Sequence, residues 1–381
     1  MIAVVGGGQL ARMMQQAAIG LDVGLRLLAE GRDVSAARVV RDPLVGDHRD
    51  LSALREAAQG CAVLTFDHEH VPTELLRTLE AEGVACRPGP DALVHAQDKA
   101  VMRARLVELG IPCPRHAVVA DAAALDAFAD SVDGYPVVVK TTRGGYDGKG
   151  VWVVGSAVEA ADALSATSAT VELLVEEKVE FVRELAALAV RSPSGQQAAY
   201  PVVESVQRGG TCVEVTAPAP GLDPDLAVHA QWIAMRIADE LDVTGVLAVE
   251  LFETPDGRVL VNELAMRPHN TGHWSIDGAV TSQFENHLRA VLDLPLGDPS
   301  ARAPWTVMVN ILGGTVGRLH DGYPHVLARD PGVRIHLYGK SVQPGRKVGH
   351  VTVYGTDLAD VRARARHAAH WFDGSLGDHS E

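Results

Sequence analysis

The stretch Val259–His273, VLVNELAMRPHNTGH, brings together an acid, an arginine, two histidines and two asparagines within and directly after an apolar run. The segment before it, Val243–Phe252, is also apolar and rich in valine. Between the two lies Thr254–Gly257, whose sequence TPDG is typical of a turn. These three segments predict a β-hairpin, with the polar residues at the end of its second strand.

The length of the hairpin loop decides which side chains face each other. A loop of four residues, Pro255–Arg258, would pair Thr254 with Val259 and bring Glu250 directly opposite Glu263. Two carboxylates in that position repel each other, because their Cβ atoms lie about 5 Å apart. Mg²⁺ relieves such repulsion, since it binds one or two carboxylates together with substrate phosphates. The register therefore predicts a magnesium site.

The alternative interpretation is an edge hairpin with solvated glutamates. The residues that follow the hairpin favour the metal site, because Arg267, His269 and Asn270 are side chains suited to anionic substrates.

Length and composition limit the classes of protein to which this chain can belong. A chain of 381 residues predicts two or three domains. With 47% hydrophobic, 22% charged and 4% aromatic residues, it has the profile of a globular soluble enzyme. The net charge of -15 argues against partners such as nucleic acid or a membrane surface, while local basic clusters could still bind small anions.

The start of the chain and its cysteines indicate a cellular compartment. Met1 is followed at once by the strand-like run Ile2–Val5, without a leader sequence, and no apolar stretch reaches the length of a membrane span. The four cysteines are scattered without C-x-x-C spacing, which predicts reduced, buried thiols. We therefore expect a cytoplasmic protein.

Three domains are predicted from the order of strand-like and helix-like segments. Residues 1–95 alternate strands and helices, which predicts an α/β domain with a parallel sheet. Residues 96–296 mix strands and helices in an α+β pattern. Residues 297–381 begin with a polar, proline-bearing connection followed by short strand-like pieces up to Tyr354, which predicts a small third domain.

A glycine-rich turn precedes the first predicted helix. Gly6–Ala11, GGGQLA, fits the pattern G-x-G-x-x-A, and Glu30 ends the second predicted strand. This motif alone favours an NAD-dependent oxidoreductase. Any helix N-terminus after a glycine turn also offers N–H groups to a phosphate, so the ligand need not be a dinucleotide.

A second glycine-rich loop separates two apolar strands. Pro136–Lys140 is followed by Thr141–Gly150, TTRGGYDGKG, which lacks the Walker pattern. Such a loop lets backbone N–H groups approach phosphate oxygens, and Lys140 and Lys149 add positive charge. The alternative is a flexible surface hairpin.

Further along, the strand Leu173–Val179 ends in EEKV, and Arg183-Glu184-Leu185 opens the next strand. Such a connection could present backbone groups to an adenine edge and a carboxylate to ribose hydroxyls, although by itself it resembles a charged turn. Its meaning comes from the order along the chain, in which a lysine-bearing strand, a glycine loop, an acidic connection and two facing carboxylates follow one another.

That order resembles the ATP-grasp superfamily. The motifs GGGQL, RGGYDGKG, NELAMRPHN, TGHW, SQFENHLRAVL, and YGK followed by PGRKVGH are similar to those of the 5-(carboxyamino)imidazole ribonucleotide synthases of purine biosynthesis, from Ile2 to about Val353. The resemblance implies a three-domain ATP-grasp architecture, with an N-terminal Rossmann-like parallel sheet domain and a small C-terminal β-rich domain. It also implies ATP-dependent carboxylation of 5-aminoimidazole ribonucleotide with bicarbonate through carboxyphosphate, Mg²⁺ (or Mn²⁺) as the metal, and a homodimer.

The resemblance assigns roles by position. Phosphates would be held by Lys99 and Lys140, adenine by Glu176 and Val179, and ribose by Glu184. The full nucleotide set comprises Lys99, Lys140, Gly144, Gly145, Tyr146, Asp147, Gly148, Lys149, Gly150, Glu176, Glu177, Lys178, Val179, Glu184, Gln207, Asn262 and Glu263. Gly144 to Gly150 would form a lid, and Gln207 stands where many relatives have a histidine.

The remaining roles concern the metal and the other substrates. Glu250 and Glu263 would bind the metal. Arg267, His269 and Asn270 are the predicted catalytic residues, with His269 or His273 as a possible base. The set predicted to bind the ribonucleotide or bicarbonate is Gly8, Gln9, Leu10, Tyr146, Asp147, Arg267, His269, Asn270, Lys340, Arg346 and Lys347.

Three other functions compete with this one. A formate-dependent or amino-acid ligase would share the nucleotide-binding segments but lack RPHNTGHW. An NAD-dependent oxidoreductase would account only for Gly6 to Glu30. A noncatalytic nucleotide sensor would bind ATP without ribonucleotide-dependent release of ADP.

Overall fold

The computed structural model describes residues 1–144, 150–160 and 172–376. Five residues of the predicted lid, Gly145, Tyr146, Asp147, Gly148 and Lys149, lie outside the described residues.

The N-terminal part is a parallel α/β unit, as predicted. Among its described residues, four parallel strands follow the order β3-β2-β1-β4. All residues of β1 and β4 are buried, which explains why both strands are apolar throughout rather than alternating. The elements are β1 (Ile2–Val5), α1 (Gln9–Gly20), β2 (Leu25–Ala29), β3 (Leu44–Val45), α2 (Leu51–Ala58), β4 (Val63–Phe66), α3 (Thr73–Ala81) and α4 (Pro90–Gln97).

A small antiparallel sheet follows, with the order β5-β8-β6-β7 in the described part of the chain. Helix α5 leads into it and begins after Asp98, whose side chain accepts hydrogen bonds from the first free N–H groups of the helix. The elements are α5 (Lys99–Glu108), β5 (His116–Val119), α6 (Ala122–Ser131), β6 (Val137–Thr141), β7 (Val151–Val154) and β8 (Leu173–Glu177).

The largest sheet is antiparallel and contains nine strands among the described residues. Its order is β14-β13-β9-β11-β12-β15-β17-β16, and β10 pairs with β9. The strands are β9 (Arg183–Arg191), β10 (Gln197–Ala199), β11 (Val203–Arg208), β12 (Thr211–Ala217), β13 (Gly245–Glu253), β14 (Val259–Ala265), β15 (Trp305–Leu312), β16 (Arg334–Leu337) and β17 (Lys347–Gly355). Because β12 pairs with β15, the C-terminal strands continue the central sheet rather than forming a separate one.

Five further helices flank this sheet in the described residues. They are α7 (Pro224–Glu240), α8 (Ser275–Gly278), α9 (Gln283–Val291), α10 (Tyr323–Arg329) and α11 (Leu358–Asp373). The sequence analysis did not predict α11, although its signals are present. Asp357 caps its N-terminus, and Val361, Ala365, Ala368 and Phe372 form its buried stripe.

The hairpin β13–β14 brings Glu250 opposite Glu263, as predicted, but by a different route. The strands close at Glu253 and Val259, so the predicted four-residue loop was wrong and the loop has five residues, 254–258. A bulge at Asn262 then restores the register, since β14 has one more residue than β13 in this stretch.

All four cysteines are free thiols. Cys86 and Cys212 are buried as predicted, while Cys61 and Cys113 are half-buried. No helix within the described residues is long and apolar enough to cross a membrane.

Replacing Phe372 with alanine should lower the free energy of unfolding by about 3–5 kcal/mol, because this fully buried ring fills the core beneath α11. Urea unfolding followed by circular dichroism measures the change. Since β15 continues the central sheet, β9–β17 should unfold in one transition. Leu376→Ala, at a partly exposed position after the same helix, is the control and should change little. An early, separate transition of the C-terminal strands would contradict the expectation.

Candidate active site

A cleft of about 1470 Å³ opens between the three sheets. Of the predicted site residues that the structure describes, all line this cleft except Gly150 and His273. Residues from the N-terminal unit, the small sheet, the hairpin and the C-terminal strands therefore meet in one place, as the resemblance implies.

The two facing glutamates lie on the cleft wall, each beside a different group. Lys99 Nζ is 3.4 Å from Glu263 Oε1, and His269 Nε2 is 3.6 Å from Glu250 Oε1. Burial, together with the charges of Glu263 and Glu184, raises the pKa of Glu250. A bound cation would reverse this effect.

The two facing glutamates could supply only part of the ligands of a metal ion, so they suit a metal that is also bound by phosphate oxygens. Among the described residues, no three His, Cys, Asp or Glu side chains gather into a complete metal cluster. Two carboxylates that share one face fit Mg²⁺, which takes its remaining ligands from water and substrate.

Lys140 is held by a buried ion-pair network. Glu176 accepts from Arg103 Nε at 2.7 Å, and its other oxygen lies 2.7 Å from Lys140 Nζ. Burial alone would raise the pKa of Glu176, but the charges of Arg103 and Lys140 outweigh it and lower this pKa to about 2. Both carboxylate oxygens of Glu176 therefore already pair with cations of the protein.

Arg103 is a site residue that the sequence analysis missed. It is fully buried and donates to two backbone carbonyls of the bulge, at Val261 (3.0 Å) and Asn262 (2.8 Å). Lys140 Nζ in turn donates to Asn262 Oδ1 at 3.2 Å. The only sequence signal for Arg103 was a charged residue on the helix face that carries the buried Met102 and Leu106.

The acidic connection after β8 offers fewer free carboxylates than its sequence indicates. Glu177 accepts from the backbone N–H and the Nε of Arg115, at 2.8 and 2.9 Å. Lys178 and Val179 continue along the cleft wall.

Apolar side chains on both sides of this connection form a slot that the sequence analysis did not identify. Phe181 stacks on Phe252, with ring centroids 4.8 Å apart, and both line the cleft. Val138 and Val153 of the small sheet line the same cleft. Phe181 is 47% exposed, so a planar base could cover it.

Glu184 lies near this slot on β9, opposite Ser205. Burial raises the pKa of Glu184 to about 7. Gln207 donates to Ser205 Oγ at 3.1 Å and lines the cleft, opposite a bulge at Val213 in β12.

Arg267 is oriented by Glu69, a residue that the sequence analysis also missed. Glu69 accepts from Arg267 Nε at 3.2 Å and from the Met266 N–H at 2.7 Å. Glu69 follows β4, and only the tertiary fold brings it to the end of β14.

His269 is neutral and its tautomer is defined by its neighbours. Burial, followed by the charges of Arg267 and Lys347, lowers the pKa of His269 to about 3. Its Nδ1 accepts from the Thr271 N–H at 3.4 Å and lies 2.9 Å from Thr271 Oγ1, and these contacts fit the tautomer with the proton on Nε2, which faces Glu250. His269 is therefore a hydrogen-bond donor to the cleft rather than a base.

Asn270 and His273 differ in their relation to the cleft. Asn270 is buried and lines the cleft, and its side-chain amide has no hydrogen-bond partner among the described residues. His273 is fully buried behind the cleft, where its Nδ1 lies 3.1 Å from Gln283 Nε2. The suggestion that His273 acts as a base is not supported, because it does not line the cleft.

The glycine turn before α1 is occupied by carboxylates of the protein itself, those of Asp67 and Glu30. Asp67 accepts hydrogen bonds from the N–H of Gly8 and, at 3.1 Å, from that of Ala11. A Cβ at Gly8 would clash with Asp67, which explains this glycine. Glu30 accepts from the Gly7 N–H at 3.2 Å. The Gly8 amide, which was predicted to bind phosphate, therefore already donates to a carboxylate of the protein.

Basic residues close the end of the cleft next to α1. Lys340 donates to Gln9 Oε1, and Lys347 and Arg346 line the same region. Arg346 Nη1 donates to Ser341 Oγ at 2.7 Å, which holds the guanidinium at the rim. This end of the cleft suits a phosphate group.

Models of three protein families match the chain in sequence order. A ribonucleotide synthetase preATP-grasp domain matches residues 1–97, an ATP-grasp domain residues 104–284, and a phosphoribosylaminoimidazole carboxylase C-terminal domain residues 306–364. The chain is 57% identical over 379 residues to the N5-carboxyaminoimidazole ribonucleotide synthase of Mycobacterium tuberculosis, covering 97% of this chain and 87% of the relative.

Solved structures agree with this assignment. The N5-carboxyaminoimidazole ribonucleotide synthetase of Thermus thermophilus superposes with a TM-score of 0.88 at 39% identity, covering 97% of this chain and 98% of that one. An enzyme from Aspergillus clavatus, solved with ADP and 5-aminoimidazole ribonucleotide, superposes with a TM-score of 0.89 at 31% identity, covering 98% of each chain. The resemblance inferred from the sequence is confirmed, and the chain belongs to the N5-carboxyaminoimidazole ribonucleotide synthase family of ATP-grasp ligases in purine biosynthesis.

Proposed function

We propose that the chain uses ATP and bicarbonate to carboxylate the exocyclic amine of 5-aminoimidazole ribonucleotide, giving N5-carboxyaminoimidazole ribonucleotide, ADP and phosphate. A bicarbonate oxygen attacks the γ-phosphorus of ATP, and ADP leaves. The amine nitrogen then attacks the carbon of carboxyphosphate, phosphate leaves, and the nitrogen loses a proton. One observation carries the proposal: a single cleft joins an apolar slot, two facing glutamates and a basic end.

The nucleotide would occupy the half of the cleft between the small sheet and the hairpin. The slot around Phe181 and Phe252 suits adenine, and the carboxyl group of Glu184 suits the ribose hydroxyls. Lys99 and Lys140 lie near the hairpin carboxylates and would hold the phosphates. Such a transfer depends on positioning and charge neutralisation more than on covalent catalysis.

Glu250 and Glu263 would hold Mg²⁺, or Mn²⁺ in its place. When bound, the ion neutralises the negative charge of the polyphosphate. Asn262 lies beside them and adds an amide oxygen to the same wall.

Three groups between the metal site and the basic end would receive bicarbonate and the amine. Arg267 supplies a cation that Glu69 holds in place, and neutral His269 supplies an Nε2–H donor. The side-chain amide of Asn270 is buried and adds a donor and an acceptor. These groups bind and orient an anion, and none of them is a strong base at neutral pH.

The ribonucleotide phosphate would lie at the basic end, beside Gln9, Lys340, Arg346 and Lys347. Because the Gly8 amide donates to Asp67, the backbone contribution is reduced to Gln9 and Leu10. The resemblance also implies a homodimer, which light scattering of the purified protein measures directly.

Formation of ADP separates this function from its competitors. ADP should form from ATP and bicarbonate when 5-aminoimidazole ribonucleotide is present and should be much slower without it. A sensor would bind ATP without this dependence, an oxidoreductase would bind NAD(H), and a formate-dependent or amino-acid ligase would require its own acceptor. Failure of the ribonucleotide to stimulate ADP formation would contradict the proposal.

Glu263→Gln should lower kcat by about 10²- to 10³-fold without unfolding the protein, because it removes one of the two carboxylates that face the metal. Steady-state kinetics across a Mg²⁺ titration measure the loss. Asp256→Asn, in the exposed loop of the same hairpin, is the charge-matched control. Normal Mg²⁺-dependent turnover of Glu263→Gln would place the metal elsewhere.

The KM for ATP should rise up to about tenfold as the pH falls from 8 to 6. The raised pKa of Glu184, about 7, means that this carboxyl group is mostly ionised at pH 8 and mostly protonated at pH 6. A carboxylate accepts both ribose hydroxyls, whereas the protonated group accepts less well. Glu184→Gln should have a higher KM for ATP, and this KM should no longer depend on pH between 6 and 8. If the pH dependence persists in Glu184→Gln, another group causes it.

Lys340→Met should raise the KM for the ribonucleotide by about 10- to 100-fold and leave that for ATP within about twofold, because a charge-assisted hydrogen bond contributes about 1.5–3 kcal/mol. Initial rates with each substrate varied in turn measure both constants. Arg334→Met, at an exposed position on β16, is the control. Equal effects of Lys340→Met on the two constants would move the phosphate pocket elsewhere.

A further inference from the structure

Arg103 joins the two walls of the nucleotide half of the cleft. Its Nε donates to Glu176 on the small sheet, and its two terminal nitrogens donate to the carbonyls of Val261 and Asn262 on the large sheet. The side chain is fully buried and does not line the cleft. Arg103 therefore cannot touch a substrate, although each of its partners belongs to a segment that does.

The first set of contacts acts on Lys140. Glu176 lies between Arg103 and Lys140, with both N···O distances at 2.7 Å. Without Arg103, Glu176 would be a buried carboxylate with a single cation beside it, and that cation is the one proposed to hold the nucleotide phosphates. Lys140 would then be drawn more strongly to Glu176 and be less available to phosphate.

The second set of contacts acts on the bulge. A bulge changes the direction of neighbouring side chains, and Asn262 and Glu263, which lie at the bulge, both line the cleft. Among the described residues β14 is the edge strand of the large sheet, so carbonyl groups on its outer side have no strand partner, and the guanidinium of Arg103 donates to two of them, at Val261 and Asn262. Arg103 thus holds in place the backbone that aims Glu263.

We propose that Arg103 is a positioning residue for phosphoryl transfer, which fixes the phosphate-binding Lys140 and the metal-facing Asn262–Glu263 bulge relative to each other across the cleft. The inference rests on the proposed function and extends it to a residue outside the cleft. Lysine cannot replace it, because a single ammonium group lacks the planar fork that reaches three acceptors at once.

Arg103→Lys tests the proposal. The KM for ATP should rise by about 10- to 100-fold, the loss typical when an outer partner of a metal or phosphate site is removed. The affinity for ADP in EDTA, measured by displacement of a fluorescent nucleotide, should fall about tenfold. The Mg²⁺ concentration that gives half of the ADP-dependent thermal shift should also rise, whereas the affinity for 5-aminoimidazole ribonucleotide, measured by calorimetry, should stay within about twofold.

Glu176→Gln separates the two sets of contacts. Glutamine keeps the shape of the side chain and an acceptor for Arg103, while the bulge contacts remain. The affinity for ADP in EDTA should change in this variant. The Mg²⁺ concentration that gives half of the ADP-dependent thermal shift should stay close to that of the unaltered protein. The control is Arg105→Lys on the same helix, since Arg105 is part-exposed and pairs with Glu108 on the surface at 3.1 Å. This control should match the unaltered protein in every measurement.

The outcomes distinguish this proposal from a purely structural role. If Arg103→Lys weakens ADP and ribonucleotide binding equally, or weakens neither, the proposal is overturned. If Arg103→Lys does not fold, Glu176→Gln decides by the same comparison, with equal loss of both ligands overturning the proposal. If the unaltered protein binds both ligands but forms no ADP with bicarbonate, the proposed function fails, and the binding measurements still decide the role of Arg103.

Discussion

The repulsion between Glu250 and Glu263 is the constraint around which the cleft is organised. Residues that face each other in a ladder have Cβ atoms about 5 Å apart, and two unit charges at that separation repel by about 3 kcal/mol at the effective dielectric constant typical of a protein surface. The hairpin can hold them together because Lys99 lies beside one and the Nε2–H of His269 faces the other. Each of these partners comes from a different segment, α5 or the stretch after β14, so the hairpin is stable in this form only within the complete fold.

Before substrates bind, the cleft neutralises its own charges. Lys99 pairs with Glu263, Lys140 with Glu176, and Arg267 with Glu69. When nucleotide and metal bind, the charged side chains of the cleft would exchange one ionic partner for another. A cation at Glu263, for example, releases Lys99, which can then pair with the phosphates. Preorganised charges of this kind keep the reorganisation required at the moment of reaction small.

How much of this could be predicted from the sequence depended on whether the signal was local. The alternation of strands and helices in the N-terminal unit and the facing glutamates both follow from short patterns of apolar residues and turns. The loop length was misjudged by one residue, yet the predicted pairing holds, because the bulge at Asn262 compensates for it. A bulge leaves no clear mark in a single sequence. The predicted pairing is correct because the longer loop shifts the register by one residue and the bulge shifts it back.

The residues that were missed act over long distances in sequence. Arg103 meets the bulge 158 residues away, and Glu69 meets Arg267 198 residues away. In both cases a charged side chain is satisfied only by groups that the tertiary fold brings near, so its local sequence resembles that of an ordinary helix or loop. The same reasoning explains Asp67: the glycine turn at α1 has the pattern of an anion site, and the anion that occupies it is a carboxylate from the end of β4. Burial raises the pKa of Asp67 while these N–H groups oppose the rise, so the turn stabilises a charge that belongs to the protein itself.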